Sequence, residues 1–288
     1  MRRRVYYFFV LILLFGLVDG CRNRNSGTSP KTLRLTMIPT NDPGKMLRDS
    51  QPLIAYLEKE TGAKVEMTIP TNYAAVVEAI GNDHVDIAYL GGFTYVQSSR
   101  RSGVIPLVQR DLDQNFHSLF ITNPATGIKS LADLKGHSFA FGDVNSTSGH
   151  LMPEYFMRQA TTDRDVIAKA IYTGGHDATA LAVANKKVDA GAMDETVYRK
   201  MVKDGKLDPA KATVFYTTPP FLDYVWAARK GLDSKLADSF ANAFLKLDAN
   251  DPRQKTILEF LRATKYVRAK DSDYDKLRQA ARDAGLLK

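Results

Sequence analysis

From Leu33 onward, short apolar runs that read as strands alternate with longer runs of helical spacing. That alternation restricts the chain to an α/β fold with mainly parallel sheets. Residues 33–38 read as a strand, 39–43 as a loop, and 45–61 as a helix with Leu53, Ile54 and Leu57 on one face and Gly62 at its end. A strand at 64–69, a short helix at 73–80 and a strand at 85–90 ending at Gly91-Gly92 complete one βαβαβ half. A second half follows: strand 118–122, turn and helix 128–134, strand 137–142, the helix after Met152, helix 177–185 and strand 188–192. Residues 223–228 read as a strand returning to the first half, and the last sixty residues as helices with Leu236, Phe240, Phe244, Ile257, Phe260, Leu261 and Leu277 facing inward. This order fits two lobes joined by two crossing strands, with a ligand in the cleft at the strand ends. With 44% hydrophobic residues in 288, the chain can bury two cores of ordinary domain size.

The run Asn145-Ser146-Thr147-Ser148-Gly149-His150 lies between the 137–142 strand and the next helix, where Leu151, Met152, Tyr155 and Phe156 recur at helical spacing. Pro153 falls early enough in that helix to be tolerated. The first N–H groups of a helix lack intrahelical partners and the macrodipole there is positive, so a small tetrahedral oxyanion is stabilised at such a place. Capping is the plainer explanation of a hydroxyl at that position, but one cap accounts for one residue of three. Both readings stand on this pattern.

The first twenty residues have the layout of a secretory signal: Arg2, Arg3 and Arg4, an apolar block from Val5 to Val18, then Gly20 before Cys21. The block is shorter than the ~20 residues of a membrane span. Residues 22–31 are polar and read as a tether. Removing residues 1–20 deletes three Arg and one Asp and lowers the formal charge from +8 to +6. A basic chain suits nucleic acid, anionic lipid or small anions. Basic and acidic residues are interspersed, however, with no aromatic-interleaved basic patch, so nucleic acid is not the expected partner. Cys21 is the single cysteine, and no disulfide can form within the chain.

These residues resemble the substrate-binding proteins of bacterial ABC importers for phosphonate, phosphite and hypophosphite, from about Leu33 to the C-terminus. The resemblance rests on the 145–149 motif with Leu151 and Pro153, on Gly175-His176 with 180–185 and Val188-Asp189, and on Val85-Asp86-Ile87-Ala88 with Leu90-Gly91. Residues 128–136 resemble a segment common to periplasmic binding proteins generally. The position of Cys21 resembles a lipobox, with Asp19 a departure from it; this implies a lipid-anchored, exported protein at the periplasm or cell surface.

The resemblance implies the two-lobed periplasmic-binding-protein fold of type II, with lobe 1 at 32–116 plus 226–288 and lobe 2 at 117–225. It implies hinge closure on a small phosphorus oxyanion and delivery to an ABC permease by a monomer, with no cofactor, metal or catalysis. Ser146, Thr147 and Ser148 map onto oxyanion contacts, Tyr73 onto a phenolic donor and His176 onto the family histidine. Asp194 matches the acid of phosphite-type members, while Thr196 stands where the amine-reading glutamate of aminoethylphosphonate binders is expected. Asp223 matches a family aspartate with one residue gapped, and Tyr89, with the loop to Gly91, walls the pocket or belongs to the core. His84, His117, His137 and His150 read as surface or capping residues. Two rivals remain: a sensing module acting on a receptor kinase, and a secreted phosphoester hydrolase using Ser148, His176 and Asp194. The hydrolase lacks a G-x-S-x-G elbow and a metal-spaced His pair.

Overall fold

The computed structural model describes residues 31–160 and 167–287. The expected signal peptide, Cys21 and all but the last residue of the tether lie outside the described residues.

In chain order the first segment gives β1 (Thr32–Met37), α1 (Pro43–Asp49), α2 (Gln51–Thr61), β2 (Lys64–Thr68), α3 (Tyr73–Gly81), β3 (Ile87–Leu90), α4 (Gly92–Ser102) and β4 (Ile105–Arg110). The second gives β5 (Ser118–Thr122), β6 (His137–Phe141), a π-turn (Thr147–Leu151) leading into α5 (Met152–Ala160), then β7 (Ile167–Tyr172), α6 (His176–Ala184), β8 (Ala190–Asp194), α7 (Glu195–Lys203) and β9 (Thr213–Thr217). The chain then adds β10 (Val225–Ala228), α8 (Ser234–Leu245), α9 (Pro252–Leu261), β11 (Tyr266–Arg268) and α10 (Asp275–Asp283).

Two sheets result, ordered β11-β4-β10-β3-β1-β2 and β7-β6-β8-β5-β9. Each is parallel in one half and antiparallel in the other: β1 pairs parallel with β2 and β3, β6 with β7 and β8, whereas β10, β11, β5 and β9 run antiparallel to their neighbours. The antiparallel member β10 is the expected returning strand, inserted between β3 and β4. Residues 45–61 are two helices, not one, because Ser50 closes α1 and Pro52 sits in the first turn of α2, where a missing N–H costs nothing. Gly62 ends α2 in the left-handed conformation at φ 67°.

One core surrounds the first sheet, with Trp226 packed on Tyr89, Phe240 and Phe244. The second sheet has a core on each face: Leu119, Ile121, Met193, Val197 and Met201 on one, Phe120, Phe139, Phe141 and Met157 on the other. The sheets are connected through residues 111–117 and 218–224, which cross side by side and pair at Phe116 and Phe221.

Arg110, at the end of β4, anchors this crossing. It is fully buried, and its Nε donates to Asp113 Oδ2 at 2.9 Å and its Nη1 to the Leu261 carbonyl at 3.2 Å. The guanidinium also lies over Phe116 and Tyr224, 5.6 and 4.7 Å from the ring centres. Removing one member of a buried ion pair strands the other charge. Arg110→Met is therefore expected to cost about 3–5 kcal/mol in denaturant unfolding, and Arg110→Met/Asp113→Leu less than the sum of the two single losses; additive losses would show that the pair is not coupled.

Candidate functional site

The wall from the second lobe forms where β6 runs into Gly142, Asp143 and the π-turn. Ser146 is the N-cap: its Oγ accepts from the Gly149 N–H at 3.0 Å. Thr147 and Ser148 are free of that duty, and all three hydroxyl residues are about 1% exposed. Thr147 Oγ1 accepts from the Phe93 N–H of the other lobe at 2.9 Å, whereas the buried Ser148 Oγ has no hydrogen-bond partner among the described residues. A side chain at Gly149 would come within 2.9 Å of Ser146 Oγ and 3.0 Å of His176 Cε1, so only glycine lets the turn close against the histidine.

The wall from the first lobe is made by the starts of α3 and α4. Asn72 caps α3 by accepting from the Ala75 N–H, which presents Tyr73 at its first position. Tyr73 is buried; its N–H donates to Asp143 Oδ2 across the cleft at 3.3 Å, and its phenolic oxygen is 3.5 Å from His176 Nε2. Burial pushes the Tyr73 phenol well above its ordinary range, with Asp143, Asp223 and Asp194 acting in the same sense, so it stays a proton donor. At α4 the Gly92 N–H donates to Asp223 Oδ1 at 3.0 Å, and a side chain on Gly91 would reach 3.1 Å from Thr147 Oγ1. The lobes are thus in contact around the site.

His176 begins α6 and is fully buried. Its Nδ1 accepts from the Asp194 N–H at 3.2 Å, which leaves the ring proton on Nε2, the atom facing Tyr73. Burial lowers its pKa against the pull of Asp194, so the ring is a neutral donor at neutral pH.

The two candidate acids are in different states. Asp194 caps α7: Oδ1 accepts from the Thr196 and Val197 N–H groups and the Thr196 hydroxyl, and Oδ2 from the Tyr224 hydroxyl at 2.7 Å. Burial works to raise its pKa, but Arg262, His176 and Arg110 together with the Thr196 hydrogen bond hold it at about 2. Asp223 is equally buried, yet its Oδ2 has no partner among the described residues. Burial pushes its pKa up to about 7, opposed by the Gly92 N–H and reinforced by Asp113 and Asp194.

Tyr73, Ser146, Thr147, His176, Asp194 and Asp223 are therefore brought together. Tyr89 is a core residue stacked on Tyr224 at 5.3 Å, and it also lines the cavity beside Arg262. The imagined Ser148–His176–Asp194 relay does not form, since Nδ1 takes the Asp194 backbone N–H rather than its carboxylate and Nε2 faces Tyr73. His150 is buried rather than on the surface: its Nδ1 is 2.7 Å from the Val144 carbonyl, which braces the loop before the turn. Asp143, the N–H groups of Gly92 and Phe93, and Tyr224 complete the site without having been expected. Of these only Gly91-Gly92, directly after a strand, left a trace in the sequence. Among the described residues no group of three or more His, Cys, Asp or Glu could hold a metal ion.

The family model described as the periplasmic phosphonate substrate-binding protein of ABC transporters matches residues 35–274. The chain is 30% identical over 274 residues, 91% of itself and 92% of its relative, to the probable ABC transporter phosphite binding protein PhnD1 of Prochlorococcus marinus. It is 32% identical over 255 residues to the phosphate-import protein PhnD of Mycolicibacterium smegmatis, covering 83% and 79% of the two chains. The solved structure of Prochlorococcus marinus PhnD1 in complex with methylphosphonate superposes with a TM-score of 0.85 at 29% identity, covering 90% of this chain and 100% of that one. Together with a buried strand–turn–helix hydroxyl run facing a second lobe, these matches place the chain in the family of periplasmic phosphonate substrate-binding proteins of ABC transporters.

Proposed function

We propose that the chain captures a small phosphorus oxyanion, of the size of phosphite, hypophosphite or methylphosphonate, by closing its lobes on it and passing it to an ABC permease. It does so as a monomer outside the cytoplasm. The observation that carries this reading is that two of the buried polar atoms without a partner among the described residues, Ser148 Oγ and Asp223 Oδ2, belong to the segments that meet at the cleft, the turn after β6 and the chain before β10. Ser148, Tyr73 and the Nε2–H of His176 supply donors to the anion, and Asp223 shares one proton with it. Most buried polar groups have a hydrogen-bond partner, and an anion in the cleft supplies one to both of these unpartnered atoms. The proposed contacts Tyr73, Ser148, His176 and Asp223 are at most about 1% exposed, which favours an anion with little or no organic substituent. Relatives bearing phosphite, phosphate-import and methylphosphonate descriptions support the class of ligand.

No Lys or Arg donates to these hydroxyls among the described residues, and none is needed. Each hydrogen bond to a charged group contributes about 1.5–3 kcal/mol, while micromolar binding requires about 8 kcal/mol. We further propose that Asp194 is a positioning acid: its oxygens already accept four hydrogen bonds, so it orients His176 and Tyr224 and leaves the ligand to Asp223.

Three outcomes follow. Ser148→Ala removes no existing hydrogen bond, so its melting temperature should match the native protein while its affinity for methylphosphonate in calorimetry falls tenfold or more; unchanged affinity would place the anion elsewhere. The second concerns pH. The native pKa of Asp223, about 7, lies above its unfolded value, so the native state holds an extra proton between roughly pH 4 and 7 and the unliganded protein loses stability across that window. The bound pair requires one proton between Asp223 and an anion whose second pKa, by analogy with a phosphate ester, is about 6. Affinity should therefore fall about tenfold per unit above pH 7–8, and Asp223→Asn should flatten that fall; a native profile flat from pH 6 to 9 would sink the role given to Asp223. Third, if Cys21 carries the anchor, Cys21→Ser should release the protein from the membrane fraction; release of native protein and variant alike would remove it.

A further inference from the structure

Arg262 occupies an unfavourable position for its residue type. It is the C-cap of α9 at φ 55° and ψ 40°, left-handed backbone usually given to Gly or Asn and costly for an arginine. Its own carbonyl and that of Leu261 are held by the buried Arg110 at the crossing, so the cap cannot drift. No carboxylate forms an ion pair with its guanidinium among the described residues; both of its side-chain hydrogen bonds go to threonine hydroxyls, on opposite lobes.

Nε donates to Thr196 Oγ1 on α7 at 3.0 Å, and an Nη donates to Thr40 Oγ1, just after β1, at 3.4 Å. Both threonines lead to the anion site. The Thr196 hydroxyl donates to Asp194 Oδ1 at 2.7 Å, and the Asp194 N–H donates to His176 Nδ1. The Thr40 carbonyl accepts from the His176 N–H at 3.2 Å. The first lobe thus holds His176 by two routes, and Arg262 ties both. It lines a cavity of about 720 Å³ between α1 and α9 on one side and α6 and α7 on the other, the gap through which the lobes would part.

We propose that Arg262 is a positioning residue that couples lobe closure to the anion site: by clamping Thr40 and Thr196 together it seats the Asp194 cap and aims the Nε2–H of His176, without touching the anion. This rests on the oxyanion-binding reading above. The left-handed backbone at a position without a glycine is explained by it, since only a long cation anchored there spans both threonines. The field of Arg262 on Asp194, the strongest that holds that acid ionised, is consistent with the same arrangement.

The test uses full-length protein with phosphite and methylphosphonate as probes. Arg262→Asn keeps a residue suited to left-handed backbone and removes the guanidinium. Its melting temperature without ligand should stay within about 2 °C of native, because the open state lacks the threonine contacts and Asn suits the left-handed backbone. Affinity for both anions should fall tenfold or more, mainly through faster dissociation, because the clamp is made only once the lobes have met. Thr196→Val, from the other lobe, should lose affinity to a similar extent, Thr196→Ser should restore it, and Arg262→Asn/Thr196→Val should be no worse than the weaker single variant. The ¹⁵N resonances of His176 in the bound state should shift from the native Nε2–H pattern in Arg262→Asn and not in Thr196→Ser. Native protein that binds either anion while Arg262→Asn binds it within twofold overturns this inference alone. Affinity loss that tracks a lowered melting temperature in both single variants overturns it in favour of a structural role. Native protein that binds neither anion overturns the functional reading and this inference with it.

Discussion

The proposed anion site binds through neutral donors, with no lysine or arginine among the described residues that donates to them. Its hydroxyls, imidazole and phenol are surrounded by Asp143, Asp194 and Asp223. The positive potential must come from backbone, and the fold supplies it. The starts of α3, α4, the π-turn, α6 and α7 each follow the C-terminal end of a strand: β2, β3, β6, β7 and β8. Successive strand-then-helix connections aim these ends at one cleft from both lobes, each carrying about half a positive charge. A fixed field of dipoles costs no side-chain ordering and suits the proposed capture and release of an oxyanion.

The same arrangement separates what one sequence could disclose from what it could not. The hydroxyl run at a helix start was legible because strand, breaker and helix are local patterns. The division of labour within it was not, since Thr147 is engaged by the Phe93 N–H 54 residues earlier in the chain. Helix α4, which supplies that N–H, was missed because Gly91-Gly92 reads as a turn. Those glycines serve close approach instead: a side chain at Gly92 would meet Leu277 at 2.5 Å. β4 was hidden by Pro106, and β9 by half-exposed residues that alternate poorly, as edge strands do. Helix faces at Phe240, Phe244, Ile257 and Leu277 were legible, because their burial follows from spacing alone.

The choice between the two acids could not be read from residue type. Both Asp194 and Asp223 are buried, both accept a backbone N–H at a helix start, and each matches an acid in the resemblance. Their partners separate them. Asp194 has filled both oxygens and sits in the field of three cationic or ionisable donors, so it remains ionised and inert. Burial, with two neighbouring acids and one oxygen left unpartnered, pushes Asp223 up to about 7. When two titratable groups in one pocket are pushed apart in pKa, the one near ambient pH handles the proton and the other holds the frame. Under the proposed function, a ligand oxygen facing Asp223 is accepted with a proton on it or on the acid, and rejected when both are bare. A site built of helix starts suits oxyanions in general; in the proposed function it is the unpartnered oxygen of Asp223 that distinguishes one protonation state of a phosphorus anion from another.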